Sequence, residues 1–580
     1  MIAKSDTMRR PFGCPPIPCG PRRGGEPSVI LGIDVGGTHT DAVCIEDGRI
    51  RSYAKTLTGD DLVASVVDAI ERLDAACPKV KRVVLSTTLS TNVIVEGKHP
   101  PTGVVCSAGP GIDPGTFSVG TCFRHVAGAM DHRGREYIPI DPAEVMDAAS
   151  TLERAGCQGV AIVSKFSVRN PAHEDAIASL VGSRFRHVCL GHTLSGALNF
   201  PRRINTTYLN AAVMPVQERF ISAVASAVER LGIQAPLYFL KADGGTYTQD
   251  AARRFPVETI LSGPAASVMG ALALAPSRDA SVLVIDIGGT TTDIGVLVGG
   301  LPLLDTWGVA IGGLKTLVRG LKVISIGVGG DSCISVEDDG TIAVGPRRDG
   351  MPACMGGPSA TPMDALVILG EYAGDTARAL DAVRALALKA GMDIEPFCRK
   401  VIGVMVDAVH GAAKAFMEEI NAHPVYTIYE MLHPHVVKPE GVVLVGGPAA
   451  LLAEYVSRSF GLPCHVPEHA GVANALGAAL SRTTAQITLH ADTELGVLFC
   501  PELGFKAAAP RSMTLEDLRH EGLRLLRENA SYLGLEDSAE AQVIQQQAFT
   551  MVRGFSTVGA NMRVRVQNTP GIIDSWGGLG

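Results

Sequence analysis

Nothing in this chain reads as a basic stripe. Lys and Arg number 51 against 59 Asp and Glu, a net charge of -8, which argues against a protein that grips a nucleic-acid backbone. No apolar run reaches the roughly 18 residues that a membrane-crossing helix needs. No CxxC pair occurs. The 13 cysteines, an odd number, are scattered singly, as at Cys106, Cys157, Cys333 and Cys464. That scatter favours reduced thiols and a cytoplasmic setting over a disulfide framework, and it leaves a zinc or iron–sulfur site without support. Neither a GxxxxGK[ST] loop nor a GxGxxG fingerprint is present, so P-loop and Rossmann readings fall away. The opening residues are rich in Pro, Gly and Arg but have no apolar h-region. They do not read as a secretory signal, and residues 1–27 are expected to form a disordered tail.

What is present is a chain of 580 residues, 46% apolar, enough for several cores and too long for one. From Val29, VILGIDVGGTHTDAVCI reads as strand, Gly-rich turn and second strand. Residues 60–76 carry Leu62, Val66, Val67, Ile70 and Leu73 at helical spacing. Short apolar runs at 82–85, 103–106 and 160–163 then alternate with helical patterns at 142–155 and 171–182, as in a layered α/β domain. A long helical pattern covers 202–230, followed by a strand at 237–240. Ser262 stands where an N-cap would, with Pro264 in the first turn.

The most informative feature is a repeat. SVLVIDIGGTTTDIGVLVGG at 281–300 matches SVILGIDVGGTHTDAVCIEDG at 28–48. Asp34 aligns with Asp286, Gly36-Gly37-Thr38 with Gly288-Gly289-Thr290, and Asp41 with Asp293. A repeat this widely spaced is no solenoid; it predicts two similar lobes facing one cleft. The expected division is a first lobe at 28–200, a second at 201–480 and a small α+β unit at 481–580.

Such hairpins suit phosphate chemistry. Glycines let backbone N–H groups approach an anion closely, and the hydroxyls of Thr38, Thr40, Thr290 and Thr291 add donors. Carboxylates beside phosphate need a reason, and Mg²⁺ supplies one, because it takes one or two carboxylates together with phosphate oxygens. Asp34 and Asp286 are the candidate metal ligands, and either could instead orient an attacking group. Asp41 and Asp293 are candidate catalytic residues that could equally cap a turn. Gly446-Gly447-Pro448 reads as a strand-to-helix loop suited to facing adenosine, with Asn474 in the helix that follows. The start at Ser262 could hold an anion or be a plain cap.

These residues also carry a resemblance. GIDVGGTHTDAV, LSTTLSTNVIVEG (85–97), the Arg-Arg-x-Asn-Thr-Thr-Tyr-Leu-Asn-Ala segment (202–211), LSGPAASVMGA, VIDIGGTTTDIG, IGVGGDSCISV (326–336) and VPEHAGVANALGAA occur in order between Gly32 and Ala479. Together they resemble the ATPase (A-type) subunit of the hydantoinase/oxoprolinase family. The resemblance implies an α/β fold of two ribonuclease-H-like lobes around a nucleotide cleft, as in actin, sugar kinases and heat-shock chaperone ATPases. It implies ATP and Mg²⁺, phosphorylation of an oxygen of a cyclic amide or ketone, and then hydrolysis or carboxylation with a B-type partner subunit in an oligomer. It places Thr87, Thr88, Thr91 and Asn92 near the cleft, with Arg203 and Asn210 likewise facing substrate, and Gly329 and Gly330 near nucleotide. The family usually has Gly-Gly-Gly-Ser where this chain has Gly329-Gly330-Asp331-Ser332. It usually has Phe where His39 stands. The leading expectation is an ATP-dependent hydrolase of a lactam or hydantoin. A ketone carboxylase subunit, a nucleotide-driven activator and a stand-alone kinase are the alternatives.

Overall fold

The computed structural model describes residues 29–73, 80–275, 280–305, 307–422, 436–535, 541–573 and 576; the expected tail at 1–27 lies outside them. Two sheets of matching topology dominate. In the first, the hairpin Val29–Val35/His39–Glu46 continues into Arg49–Leu57, while Val80–Thr87 and Leu237–Leu240 run parallel on the other side of Val29–Val35. In the second, the hairpin Val282–Ile287/Thr292–Val298 is flanked by Gly441–Val445 and Cys464–His465, again parallel. Each is an antiparallel hairpin extended by parallel strands, the ribonuclease-H-like order, and the repeat supplies its two hairpins. No described helix is long and apolar enough to cross a membrane.

Val29–Val35 is buried along its whole length. Ile30 enters one core, whereas Val29, Leu31, Ile33 and Val35 enter another on the opposite face. A strand covered on both faces needs an unbroken apolar run, which is why the motif does not alternate with polar residues. The cover on the inner side is a pair of small-residue helices, Ser262–Leu274 and Ala473–Leu480. They cross so closely that a Cβ on Gly270 would lie 2.1 Å from the Ala473 carbonyl oxygen, and one on Gly477 2.2 Å from that of Ala266. A Cβ on Gly32 would strike the Ala475 oxygen at 2.2 Å. At these three points backbone rests on backbone, while side chains such as Val268, Met269 and Leu476 fill the rest of the interface.

The division at 200/201 is not where the sheets part. Helix Phe200–Arg230 and strands Leu237–Leu240 and Thr246–Thr248 complete the first lobe, because Leu237–Leu240 is its fifth strand. Between Val80–Thr87 and that strand the chain inserts a parallel sheet in the order His187–Leu190, Gly159–Ser164, Thr102–Ser107, Cys122–His125. The C-terminal unit is a five-stranded antiparallel sheet with helix Leu515–Glu528 on one face. Its tail returns to the lobes, where Trp576 joins the second-lobe core and its indole N–H donates to the Ala273 carbonyl.

Candidate active site

The repeat reproduces one turn twice. Gly36 N–H donates to the His39 carbonyl at 3.0 Å, and Gly288 N–H donates to that of Thr291 at 2.9 Å. This leaves the N–H groups of Gly37, Thr38, Gly289 and Thr290 without hydrogen bonds among the described residues. The two tips meet, with Thr38 Oγ1 3.1 Å from Thr290 Oγ1. Behind each tip the register pairs two aspartates across the strands, Asp34 with Asp41 and Asp286 with Asp293. Four carboxylates are thereby gathered at one end of two facing sheets.

These carboxylates are poorly hydrated. Burial, reinforced by the charges of Asp41 and Asp286, pushes Asp34 up to about 7. Burial and the Asp286 charge push Asp293 up to about 7 as well. Asp34 Oδ1 and Asp293 Oδ1 are buried with no hydrogen-bond partner. Asp286 is better held: Ser267 Oγ donates to its Oδ2 at 2.6 Å and Asn474 Nδ2 at 3.1 Å. Burial also raises Asp41, and Lys55 Nζ opposes that by donating to both its oxygens at 2.8 and 2.9 Å. The same ammonium donates to the Gly471 carbonyl of the second lobe at 3.1 Å.

Acidic groups with orphaned oxygens fit a divalent cation. Among the described residues no three His, Cys, Asp or Glu side chains converge as a metal-holding group. Mg²⁺ keeps several waters and needs only one or two protein carboxylates. Asp34, with its orphaned Oδ1, and nearby Asp286, whose Oδ1 takes no part in the Ser267 and Asn474 bonds, could be those two.

Several predicted site residues serve the site from behind. Gly446 (φ 102°) ends strand Gly441–Val445 so close to Asp286 that a Cβ would lie 2.6 Å from its Oδ1, while Gly447 faces open space. Asn474 braces Asp286 and flanks Asp34, so it lies among the carboxylates. Gly330 N–H and Asp331 N–H donate to the Gly288 and Gly289 carbonyls at 2.9 and 2.7 Å, and a Cβ on Gly329 would lie 2.6 Å from the Gly289 oxygen. This loop fastens the second hairpin from beneath. The charge of Asp331 is met inside the protein by Arg348 at 3.2 Å. Burial, with Lys55 and Arg348 nearby, lowers His39 to about 4, so it is neutral at pH 7. Thr291 is exposed beside the tip.

Thr87 ends strand Val80–Thr87, next to the strand bearing Asp34, and Thr88, Thr91 and Asn92 follow it. Thr91 Oγ1 accepts from Leu261 N–H at 2.9 Å, and Asn92 Nδ2 donates to Thr88 Oγ1 at 3.3 Å. Asn92 is exposed and Thr88 half-buried. Ser262 is not the cap: Leu261 occupies that position at φ 55°, and Ser262 Oγ donates to the Thr87 carbonyl instead.

Three other expectations are corrected. Thr40 points inward, buried, with its hydroxyl 2.9 Å from that of Thr58. Arg203 is fully buried and donates to the carbonyls of Ala197 and Ser164 at 2.9 and 2.8 Å. Asn210 is buried too, accepting from Val257 N–H and donating to the Arg254 carbonyl. Both residues satisfy backbone groups inside the first lobe. Lys55, Ser267 and Arg348 were missed; each stands outside the repeat, and only Ser267 lies in a recognisable motif.

Comparison with known proteins agrees with this architecture. Two family models match: the hydantoinase/oxoprolinase N-terminal region over residues 30–185, and hydantoinase/oxoprolinase over 203–487. The caprolactamase alpha subunit of Pseudomonas jessenii is 28% identical over 65% of this chain and 60% of its own length. The acetophenone carboxylase gamma subunit of Aromatoleum aromaticum is 25% identical over 60% of this chain and 54% of its own. The matches thus span under two thirds of either relative. A nucleotide-free structure of acetone carboxylase superimposes with a TM-score of 0.72 at 17% identity, covering 95% of this chain and 88% of that one. With both family models matched in order across its two lobes, the chain belongs to the hydantoinase/oxoprolinase family.

Proposed function

We propose that this chain binds ATP with Mg²⁺ between the two hairpins and transfers the γ-phosphoryl group to the oxygen of a cyclic amide. The observation that carries the reading is the meeting of two phosphate-type tips, Thr38 and Thr290, over carboxylates with orphaned oxygens. Unengaged N–H groups and threonine hydroxyls orient the phosphates. Asp34 and Asp286 would hold Mg²⁺, which neutralises charge on the phosphate oxygens. Asp293, and Asp41 restrained by Lys55, are placed to position the acceptor or a water. Thr88, Thr91 and Asn92 are proposed to line the substrate side, with Gly446 and Gly447 toward the nucleoside.

Phosphorylation converts a lactam oxygen into a leaving group. The oxygen attacks the γ-phosphorus, the bond to ADP breaks, and the ring carbon becomes open to water. Addition of water to that carbon and cleavage of the ring C–N bond, the nitrogen leaving as the protonated amine, give an acyl phosphate, and a second water hydrolyses it to the open-chain carboxylate and free phosphate. A B-type partner is proposed for that second half, in line with the word subunit in the names of both relatives. A ketone acceptor is the second reading, favoured by the acetophenone carboxylase match.

The test is ATP turnover by the chain with Mg²⁺ and a panel of lactams, hydantoins and ketones, beside Asp286→Ala. Turnover stimulated by one class and lost in the variant establishes the reading and names the class. Absence of ATP binding overturns it.

A further inference from the structure

The C-terminal sheet turns one face to its own helix and the other to the first lobe. Along strand Ser556–Asn568, Met562, Val564 and Val566 enter the core under the helix. The alternate residues Arg563 and Arg565 therefore project from the opposite face. His490 pairs in register with Arg563, so it shares that face. Arg169 from the first lobe arrives there, its Nη1 donating to His490 Nδ1 at 3.1 Å, while His490 Nε2 donates to the Gly196 carbonyl at 3.1 Å. Gly196 N–H in turn donates to Glu502 at 3.0 Å.

The charges here do not balance. Asp492 and Glu494 are taken by Arg133 at 2.8 and 2.7 Å, and Glu494 also by Arg553 at 2.6 Å. Asp243 faces Lys241 at 3.4 Å. Arg169, Arg563 and Arg565, all half-buried, form no ion pair among the described residues; Arg563 and Arg565 share the single carboxylate of Glu502, and the carboxylate nearest in effect to Arg169 is Asp492, already held by Arg133. The Nε atoms of all three, and Nη1 of nearby Arg319, are buried with no hydrogen-bond partner. Burial lowers Arg565 to about 10, with the Arg563 charge adding to the effect. Proteins rarely bury like charges without a counter-ion or hydrogen bonds.

We propose that Arg169, Arg563 and Arg565, backed by Arg319, form a second anion site that takes a small phosphate- or dicarboxylate-type oxyanion between the first lobe and the C-terminal sheet. Guanidinium groups present paired N–H donors that match such oxygens. The site shares no residue with the carboxylate cleft and takes no part in the reaction proposed there.

The test is calorimetric titration of the full chain with inorganic phosphate and, separately, with succinate in low-chloride buffer. Asp286→Ala disables the nucleotide cleft and should leave this binding within about threefold of the parent. The double variant Arg563→Gln/Arg565→Gln should weaken it by about tenfold or more. Glu502→Gln, which keeps the acceptor for Gly196 N–H but removes the competing charge, should tighten it; this arm stands even if the double variant fails to fold. Tighter binding of phosphate or of succinate identifies which source the site prefers. Binding of neither anion, or affinities unmoved by the arginine changes and by Glu502→Gln, overturns the proposal.

Discussion

Thr38 and Thr290 are 252 residues apart in sequence, yet their hydroxyls lie 3.1 Å from each other. Each tops a hairpin of the same repeat, so the contact marks the pseudo-two-fold axis of the site. Replacing either with Val keeps the shape and removes one donor. Losing a hydrogen bond to a charged phosphate costs about 1.5–3 kcal/mol, so kcat/KM for ATP should fall roughly ten- to hundredfold. Steady-state kinetics beside an unchanged melting temperature would check this.

The acidic cluster predicts a pH dependence with a definite sign. Asp34 and Asp293 are raised from 3.8 to about 7 in the folded chain. The folded state therefore binds more protons than the unfolded state between these values, and stability falls as pH rises through that window. Without metal, the parent should lose more melting temperature between pH 4 and pH 7 than Asp34→Asn or Asp293→Asn. Mg²⁺ affinity should move the other way, strengthening as pH passes 7 while these carboxyls ionise. Thermal melts and Mg²⁺ titrations at several pH values would measure both.

Gly446→Ala should be severe. The residue sits at φ 102°, and its Cβ would fall 2.3 Å from the Ile287 oxygen and 2.6 Å from Asp286 Oδ1. Strain and overpacking together should cost about 3 kcal/mol or more, and ATP turnover should vanish even in preparations that remain folded. Gly447→Ala has open space around it and should leave the melting temperature nearly unchanged.

Arg203→Met and Asn210→Ala should act on folding and not on substrate. Each leaves buried carbonyl or N–H groups unpaired, at a cost of about 1–3 kcal/mol per lost group. Denaturant melts should shift while KM for ATP and for the activating substrate stays put. A raised substrate KM at unchanged stability would return these residues to the cleft.

The two hairpins were legible because a repeat declares itself: the same spacing of Asp, Gly-Gly-Thr and Asp implies the same turn and register wherever it occurs. Arg203 and Asn210 were expected at the substrate only through the family resemblance of their segment, which does not separate a ligand-facing polar side chain from one that, as here, bonds buried backbone groups. Leu237–Leu240 was placed in the wrong lobe for another reason. A strand's sheet partner can be separated from it by a whole inserted domain, here the parallel sheet between Thr102 and Leu190. Lys55 stands opposite Asp41 across the first-lobe hairpin, in a register shifted by an irregularity between Cys44 and Ile45 that spacing alone does not reveal, and its second partner, Gly471, is set by the two lobes meeting.

The glycine crossings at Gly32, Gly270 and Gly477 act as a bearing. With backbone resting directly on backbone, the central helices can be neither compressed nor pulled apart without opening a void. Lys55, bonded to Asp41 and reaching across to Gly471, adds a polar tie between the same two lobes. A methyl group at any of those crossings would displace the helix that carries Asn474 or the strand that carries Asp34, so the spacing of the carboxylates is set by missing side chains at three positions away from the hairpin tips.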